Sequence, residues 1–327
     1  MTDISTVIGL DEIKLDISHE LGVSIHVLYR DLSSVGSWAA IFSPHCRAEI
    51  QQETDHVTLC NSNFYRDTRE WNVARDELMQ LEVVNDLSLR DFDMSERGWH
   101  NLVHWPVLHA ALDKRDDVEV FDISHVCIFP NDILSAYGVH SEDLSAATVT
   151  YAICVNPSDA LADRLALALR NEENGTCRLG QHHQSVNPTR YEPLRTRPIG
   201  LTIQTQSSRA SLSATPPLTP PLWAAAQFER MKALNPQEAL PTLPAIVVVG
   251  TAWELYFIAP PRRRDGTDVR VYKDDGPPLG DTASLAGAYQ LVASLRRLAD
   301  WVGEDLGGWW GRNLPPTVAG ERKRRGW

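Results

Sequence analysis

Apolar side chains return every three or four residues in several stretches of the chain, and each such stripe predicts an amphipathic helix. Over 68–84 the stripe is Trp71, Ala74, Leu78, Leu81 and Val84. Over 95–112 it is Trp99, Leu102, Val103, Val107, Leu108, Ala111 and Leu112, with Pro106 placed to kink or split the helix. Further helices follow at 159–170, capped near Ser158, at 222–234, carrying Trp223, Gln227 and Met231, and at 284–302. Between them the period shortens to two, or the residues become apolar throughout, which predicts strands at 118–123, 149–155, 198–206 and 244–250. Trp253 to Ala259 and Asp268 to Tyr272 bracket a Pro-Pro-Arg-Arg-Arg-Asp-Gly turn and read as a hairpin.

The strand at 198–206 organises the rest. Pro198 can only begin it, and the alternation that follows sets Gly200, Thr202, Gln204 and Gln206 on one face against Ile199, Leu201, Ile203 and Thr205 on the other. Loops are expected at 171–193 and at 207–221, where Pro216, Pro217, Pro220 and Pro221 oppose regular structure, and 131–145 reads as a polar insertion. Residues 1–64 are weakly patterned and read as an irregular N-terminal extension, with candidate strands at Val23–Tyr29 and Trp38–Phe42. Beyond Gly303 the chain is rich in Gly and Trp and ends in Arg322-Lys323-Arg324-Arg325, so 304–327 reads as a flexible basic tail. Helices alternating with short strands argue one α/β core over 65–303.

Composition narrows the function classes. A formal charge of −12 opposes broad attraction to a phosphate backbone and leaves room only for a local basic groove. Five cysteines without a Cys-x-x-Cys pair fit reduced thiols, not a disulfide framework or a zinc knuckle. The N-terminus lacks the pattern of a secretory signal and no apolar run is long enough to span a bilayer. The expectation is a soluble intracellular protein, cytoplasmic or nuclear, with no membrane partner.

Several blocks then resemble one family. Ser95-Glu96-x-x-Trp99 followed by Val103-His104, Ser185-Val186-Asn187-Pro188-Thr189 with Arg195-Thr196-Arg197-Pro198-Ile199, Leu243 to Gly250 with Trp253, and Gly287-Ala288-Tyr289-Gln290 through Ala299 occur in order. Together they resemble the fungal PD-(D/E)XK nuclease-like proteins, a branch of the restriction-endonuclease-like fold. The resemblance implies an α/β core with a mixed central sheet flanked by helices. It also implies a metal-dependent phosphodiester hydrolase acting on nucleic acid, with Mg²⁺ held by carboxylates and a lysine beside the attacking water. In such a site a helix Glu, a strand Asp and a Glu-x-Lys gather at one end of the sheet. The matching positions here are Glu96, Thr150, Gln204 and Gln206, so Glu96 alone keeps its acid and is the one expected metal ligand; Gln227 is expected to line the same cleft.

Neutral oxygens at Thr150 and Gln204 do not offset a cation's charge, and Gln206 in the lysine's place removes the cation that would balance the transition state, a loss that costs about 10²–10³-fold in rate. The resemblance therefore implies a nuclease-like protein that is catalytically degenerate, with Mg²⁺ weak or absent. A different class competes with it: a non-catalytic binding or scaffold module with a protein or nucleic-acid partner. A third reading keeps residual activity through migrated groups such as Asp159, Glu192 or Arg195. Other features have plainer explanations. His100 and His104 stand at metal-ligand spacing but lack a third ligand, Ser185 near His182 and His183 lacks a nucleophile-elbow context, and Arg262-Arg263-Arg264 fits an exposed turn.

Overall fold

In the computed structural model, residues 9–10, 21–54, 58–65, 71–90, 94–171, 184–206, 219–235, 238–274 and 279–314 are described. Seven strands form one mixed sheet in the order β1-β7-β6-β5-β4-β3-β2. They are β1 (Gly9–Leu10), β2 (Val118–Asp122), β3 (Tyr151–Val155), β4 (Ile199–Gln206), β5 (Leu243–Val249), β6 (Ala252–Ala259) and β7 (Arg270–Lys273). β4 and β5 run parallel at the centre, β1 runs parallel to β7, and every other neighbouring pair is antiparallel. β5 is buried almost end to end, as its unbroken apolar run requires of a strand covered on both faces.

Helices cover the two faces. On one lies a long helix built from Glu96–Trp99, a π turn at His100–His104 and Trp105–Leu112. Beside it lies Leu285–Asp300, which continues through a second π turn into Gly307–Asn313. Tyr151 and Trp253 point to this side, for the Tyr151 hydroxyl donates to the His100 carbonyl and the Trp253 ring meets His104 edge-on. The Thr219–Leu234 helix covers the other face, where Thr202, Leu243 and Ile258 surround Trp223 and Gln227. No helix among the described residues is long and apolar enough to cross a membrane.

Several expectations are corrected. The stretch at 23–29 is not a strand: Val23–Gly36 is a helix that buries Ile25, Leu28, Leu32 and Val35 and packs on the Leu285–Asp300 helix. Trp38 and Ala40 take left-handed backbone conformations, so 38–42 turns and makes a single bridge from Phe42 to Phe64. The supposed polar insertion carries a short helix, Ser141–Ala146, and buries Ile133, Leu134, Tyr137, Val139 and Leu144.

Pro220 and Pro221 do not end a loop but open the Thr219–Leu234 helix, in the first turn, where a missing N–H costs nothing. Pro106 likewise breaks nothing, because it follows the π turn, in which the Trp105 N–H reaches back to His100, and stands second in the next segment. The tail is not flexible from 304: the helix runs on to Asn313 and buries Leu306, Trp309, Trp310 and Leu314. The basic run Arg322–Arg325 lies outside the described residues.

Gly200 does not share the face of Thr202. The register of β3 and β4 skips from Ile199 to Leu201, leaving Gly200 as the extra residue of a bulge. A side chain there would meet the two Val302 methyl groups at 2.6 and 2.7 Å, so only glycine lets the terminal helix cross β4 so closely.

Candidate functional site

The end of the sheet where β3 begins and β4 ends is a fork. Thr150 precedes β3 and holds both neighbours: its N–H donates to the Ile203 carbonyl at 2.9 Å, and its carbonyl accepts from the Ile123 N–H at 2.9 Å. Where the β3–β4 ladder would continue, the Thr150 side chain takes over. The Thr205 N–H donates to Thr150 Oγ1 at 3.1 Å, and the two hydroxyls lie 2.8 Å apart. Both residues are buried.

The helix closes this fork from above. Ser95 caps it by accepting the Gly98 N–H at 3.2 Å, which sets Glu96 in the first turn and His100 one turn on. His100 Nε2 lies 2.7 Å from Thr205 Oγ1 and 3.8 Å from a Glu96 carboxylate oxygen. Glu96 itself is largely in solvent, with 65% of its side chain exposed. Desolvation lowers the pKa of His100, and the negative charges of Glu96 and then Asp122 only partly oppose that. A turn further on, His104 is 4% exposed, neither ring nitrogen has a partner among the described residues, and burial lowers its pKa to about 3. The Trp99, His100 and Trp253 rings pack around it.

Of the residues singled out in the sequence, Glu96 and Thr150 join this chain of contacts. Gln204 and Gln206 do not. Thr205 meets the helix, and neighbours along a strand alternate faces, so both glutamines turn toward the side of the Thr219–Leu234 helix. Gln204 donates from Nε2 to the Thr205 carbonyl at 3.0 Å, while its Oε1 is buried without a partner among the described residues. Gln206 is half-buried opposite Val249. Gln227 is buried on that second face beside Thr202, and neither of its amide atoms has a partner among the described residues. The expected single pocket is thus divided by the sheet, because a two-residue period cannot put Thr205 and its neighbours on one side.

The migrated candidates also stand elsewhere. Asp159 follows the far end of β3, while Glu192 and Arg195 precede β4 and pair with each other at 3.7 Å. Ser185 is buried, accepts the Asn187 N–H and offers its carbonyl to Arg230; His182 and His183 lie outside the described residues. Arg264 ties the hairpin to the carbonyls of Glu238 and Asn235.

Two members of the corner are not singled out in the sequence: Thr205 is the middle of Gln-x-Gln, and Asp122 closes the edge strand β2. His100 is noted there only for its spacing from His104 and set aside for want of a third ligand, whereas the structure joins it to Thr205.

The donors at the fork do not fit a divalent metal ion. Thr150, Thr205 and His100 are neutral and already satisfy one another, and the one carboxylate in contact is exposed. Among the described residues, no three His, Cys, Asp or Glu side chains cluster as a metal would need.

A family model described as the PD-(D/E)XK nuclease superfamily matches residues 52–307. No curated protein and no solved structure matches the chain.

Proposed function

This chain belongs to the PD-(D/E)XK nuclease superfamily, and on that premise we propose that it is a catalytically degenerate member, derived from a metal-dependent phosphodiester hydrolase. The superfamily generally works with divalent metals, which polarise the phosphoryl oxygen and ready a water for attack. Supporting the reading is the closed hydrogen-bonded chain from Thr150 through Thr205 to His100, which fills the fork with neutral groups. With neither a carboxylate pair nor a lysine among them, no hydrolytic step is routed through these side chains. The fungal branch, and a cytoplasmic or nuclear location, belong to the same proposal.

The test titrates Mg²⁺ and Mn²⁺ into the full-length protein by calorimetry and incubates it with labelled single- and double-stranded DNA and RNA. No saturable metal binding and no cleavage are expected. Cleavage that requires metal and disappears in Glu96→Ala would overturn the reading.

A second reading, that the fold serves as a binding module, is favoured by the exposed Trp105 beside the corner. The two are compatible, since a cleft that has lost its chemistry still has a surface.

A further inference from the structure

The corner around His100 carries charge and aromatic surface that hydrolysis would not use. β2 is the edge strand of the sheet, and Asp122 closes it directly across the ladder from Tyr151. Asp122 is exposed, its Oδ1 accepts the Ser124 N–H at 3.0 Å and the Ser124 hydroxyl at 2.7 Å, and its negative charge, like that of Glu96, acts on His100.

Beside His100 lies an aromatic wall. The His100 and Tyr151 rings meet at 5.8 Å, and the Trp105 ring lies 6.1 Å from Tyr151. Trp105 is 37% exposed and Leu102, one turn away, 47%. Beneath them lies buried His104, whose ring nitrogens have no partner among the described residues and whose ring is 5.7 Å from that of His100.

The strand edge adds a third feature. The Val155 N–H donates to the Pro198 carbonyl, on the side away from β2. By the alternation of an antiparallel ladder, the backbone groups of Val120 and Asp122 then face outward, away from β3. β2 has β3 as its one neighbour in the sheet, and among the described residues no other backbone bond occupies them. An exposed edge of this kind accepts an extended chain.

We propose that this corner binds an arginine or lysine side chain presented by an extended segment of a partner protein lying along β2. The charges of Glu96 and Asp122 would draw the basic segment to the corner, and the Trp105 face would hold a cation of it by cation–π attraction. The same charges repel a phosphodiester, so the ancestral preference is reversed. This inference rests on the reading that the corner holds no metal ion.

The experiment titrates the full-length protein with a short unstructured peptide rich in arginine, following tryptophan fluorescence and calorimetry at low salt. Parallel titrations use the same peptide with each arginine replaced by glutamate, and a short thymidine oligonucleotide without metal. Saturable binding of the basic peptide alone is expected. Glu96→Gln with Asp122→Asn should weaken it about tenfold, and Trp105→Ala about three- to fivefold. Asp159→Asn, an exposed acid at the other end of β3, should leave it unchanged. Circular dichroism shows that each variant is folded. Equal binding by the double variant, or equally tight binding of the acidic peptide or the oligonucleotide, would overturn the inference. Metal-dependent cleavage would instead remove its premise, whereas neither cleavage nor peptide binding would sink this inference alone.

Discussion

The two ends of β4 are both polar, yet they are built on different terms. Before its first residue, Asn187 is fully buried and bonds three ways: Nδ2 donates to the carbonyls of Leu194 at 2.6 Å and Arg197 at 2.8 Å, and Oδ1 accepts the Ile199 N–H at 2.8 Å. Buried Arg230 reaches the Ser185 carbonyl beside it at 2.6 Å. At the far end, Thr150, Thr205 and His100 bond chiefly to one another, and Gln204 keeps a buried oxygen with no partner among the described residues. The first cluster serves backbone groups that no ladder can reach, so its chemistry is dictated by the fold. In the second, only one of the bonds, from the Thr205 N–H to Thr150, replaces a ladder bond, so the fold alone does not dictate its chemistry. Side chains that serve the backbone and side chains that serve chiefly one another are thereby separated at the two ends of one strand.

The largest effect should come from the structural end. Asn187→Ala leaves two carbonyls and one N–H without partners in the interior, at about 1–3 kcal/mol for each buried orphan, offset where water enters. A loss of about 3–5 kcal/mol is expected in urea unfolding. A loss below about 1 kcal/mol would mean that the loop before β4 re-forms its bonds by itself, and the contrast between the two ends would collapse.

Next comes His104, which burial holds neutral, with a pKa near 3. The unfolded chain takes up a proton near the ordinary value of about 6.5, so stability is complete above that pH and is lost as pH falls toward 3. At pH 5 the loss should be about 2 kcal/mol relative to pH 7.5. His104→Phe should abolish that share of the acid sensitivity, read as a smaller shift of the urea midpoint between the two pH values. An unchanged shift would assign the sensitivity to carboxylates elsewhere.

How much of this was legible in the sequence divides along the same line. The strands from β2 to β7 and the helix carrying Glu96 follow from apolar periodicity, since each needs only its own residues to reveal a buried face. The helix at Val23–Gly36 was hidden because Val23, Ile25, Val27 and Tyr29 alternate like a strand, although Val23 is 80% exposed and the buried stripe runs through Ile25, Leu28, Leu32 and Val35. That stripe shows only when the window extends past Tyr29. The corner was harder to read. Asp122 comes from the sheet edge and is set across from Tyr151 by strand pairing, and Thr205 comes from between two glutamines and meets His100 across the fold, where no local period records either. The bulge at Gly200 further breaks the alternation on which the face assignment relied.

A smaller effect tests whether the fork holds itself. Thr150→Val removes the acceptor of the Thr205 N–H together with the hydroxyl contact, and should cost about 1–2 kcal/mol in urea unfolding. Thr205→Val keeps the Thr150 acceptor for that N–H and should cost less. The reverse order would place the weight of the fork on His100 instead of on Thr150.

The smallest effect belongs to the residue with the most suggestive ancestry. Glu96 is exposed, and its contact with His100, at 3.8 Å, is at the outer limit of an ion pair. Its contribution to stability is that of one negative charge in the first turn of a helix, a few tenths of a kcal/mol where solvent screens it. Glu96→Gln should therefore unfold within about 0.5 kcal/mol of the parent. That near-neutrality makes the residue informative, because a changed affinity for a cation or a basic peptide can then be attributed to the lost charge at the corner and not to a damaged fold. A loss above about 1 kcal/mol would show that Glu96 braces the helix over the fork, and would move it to the structural side of the comparison.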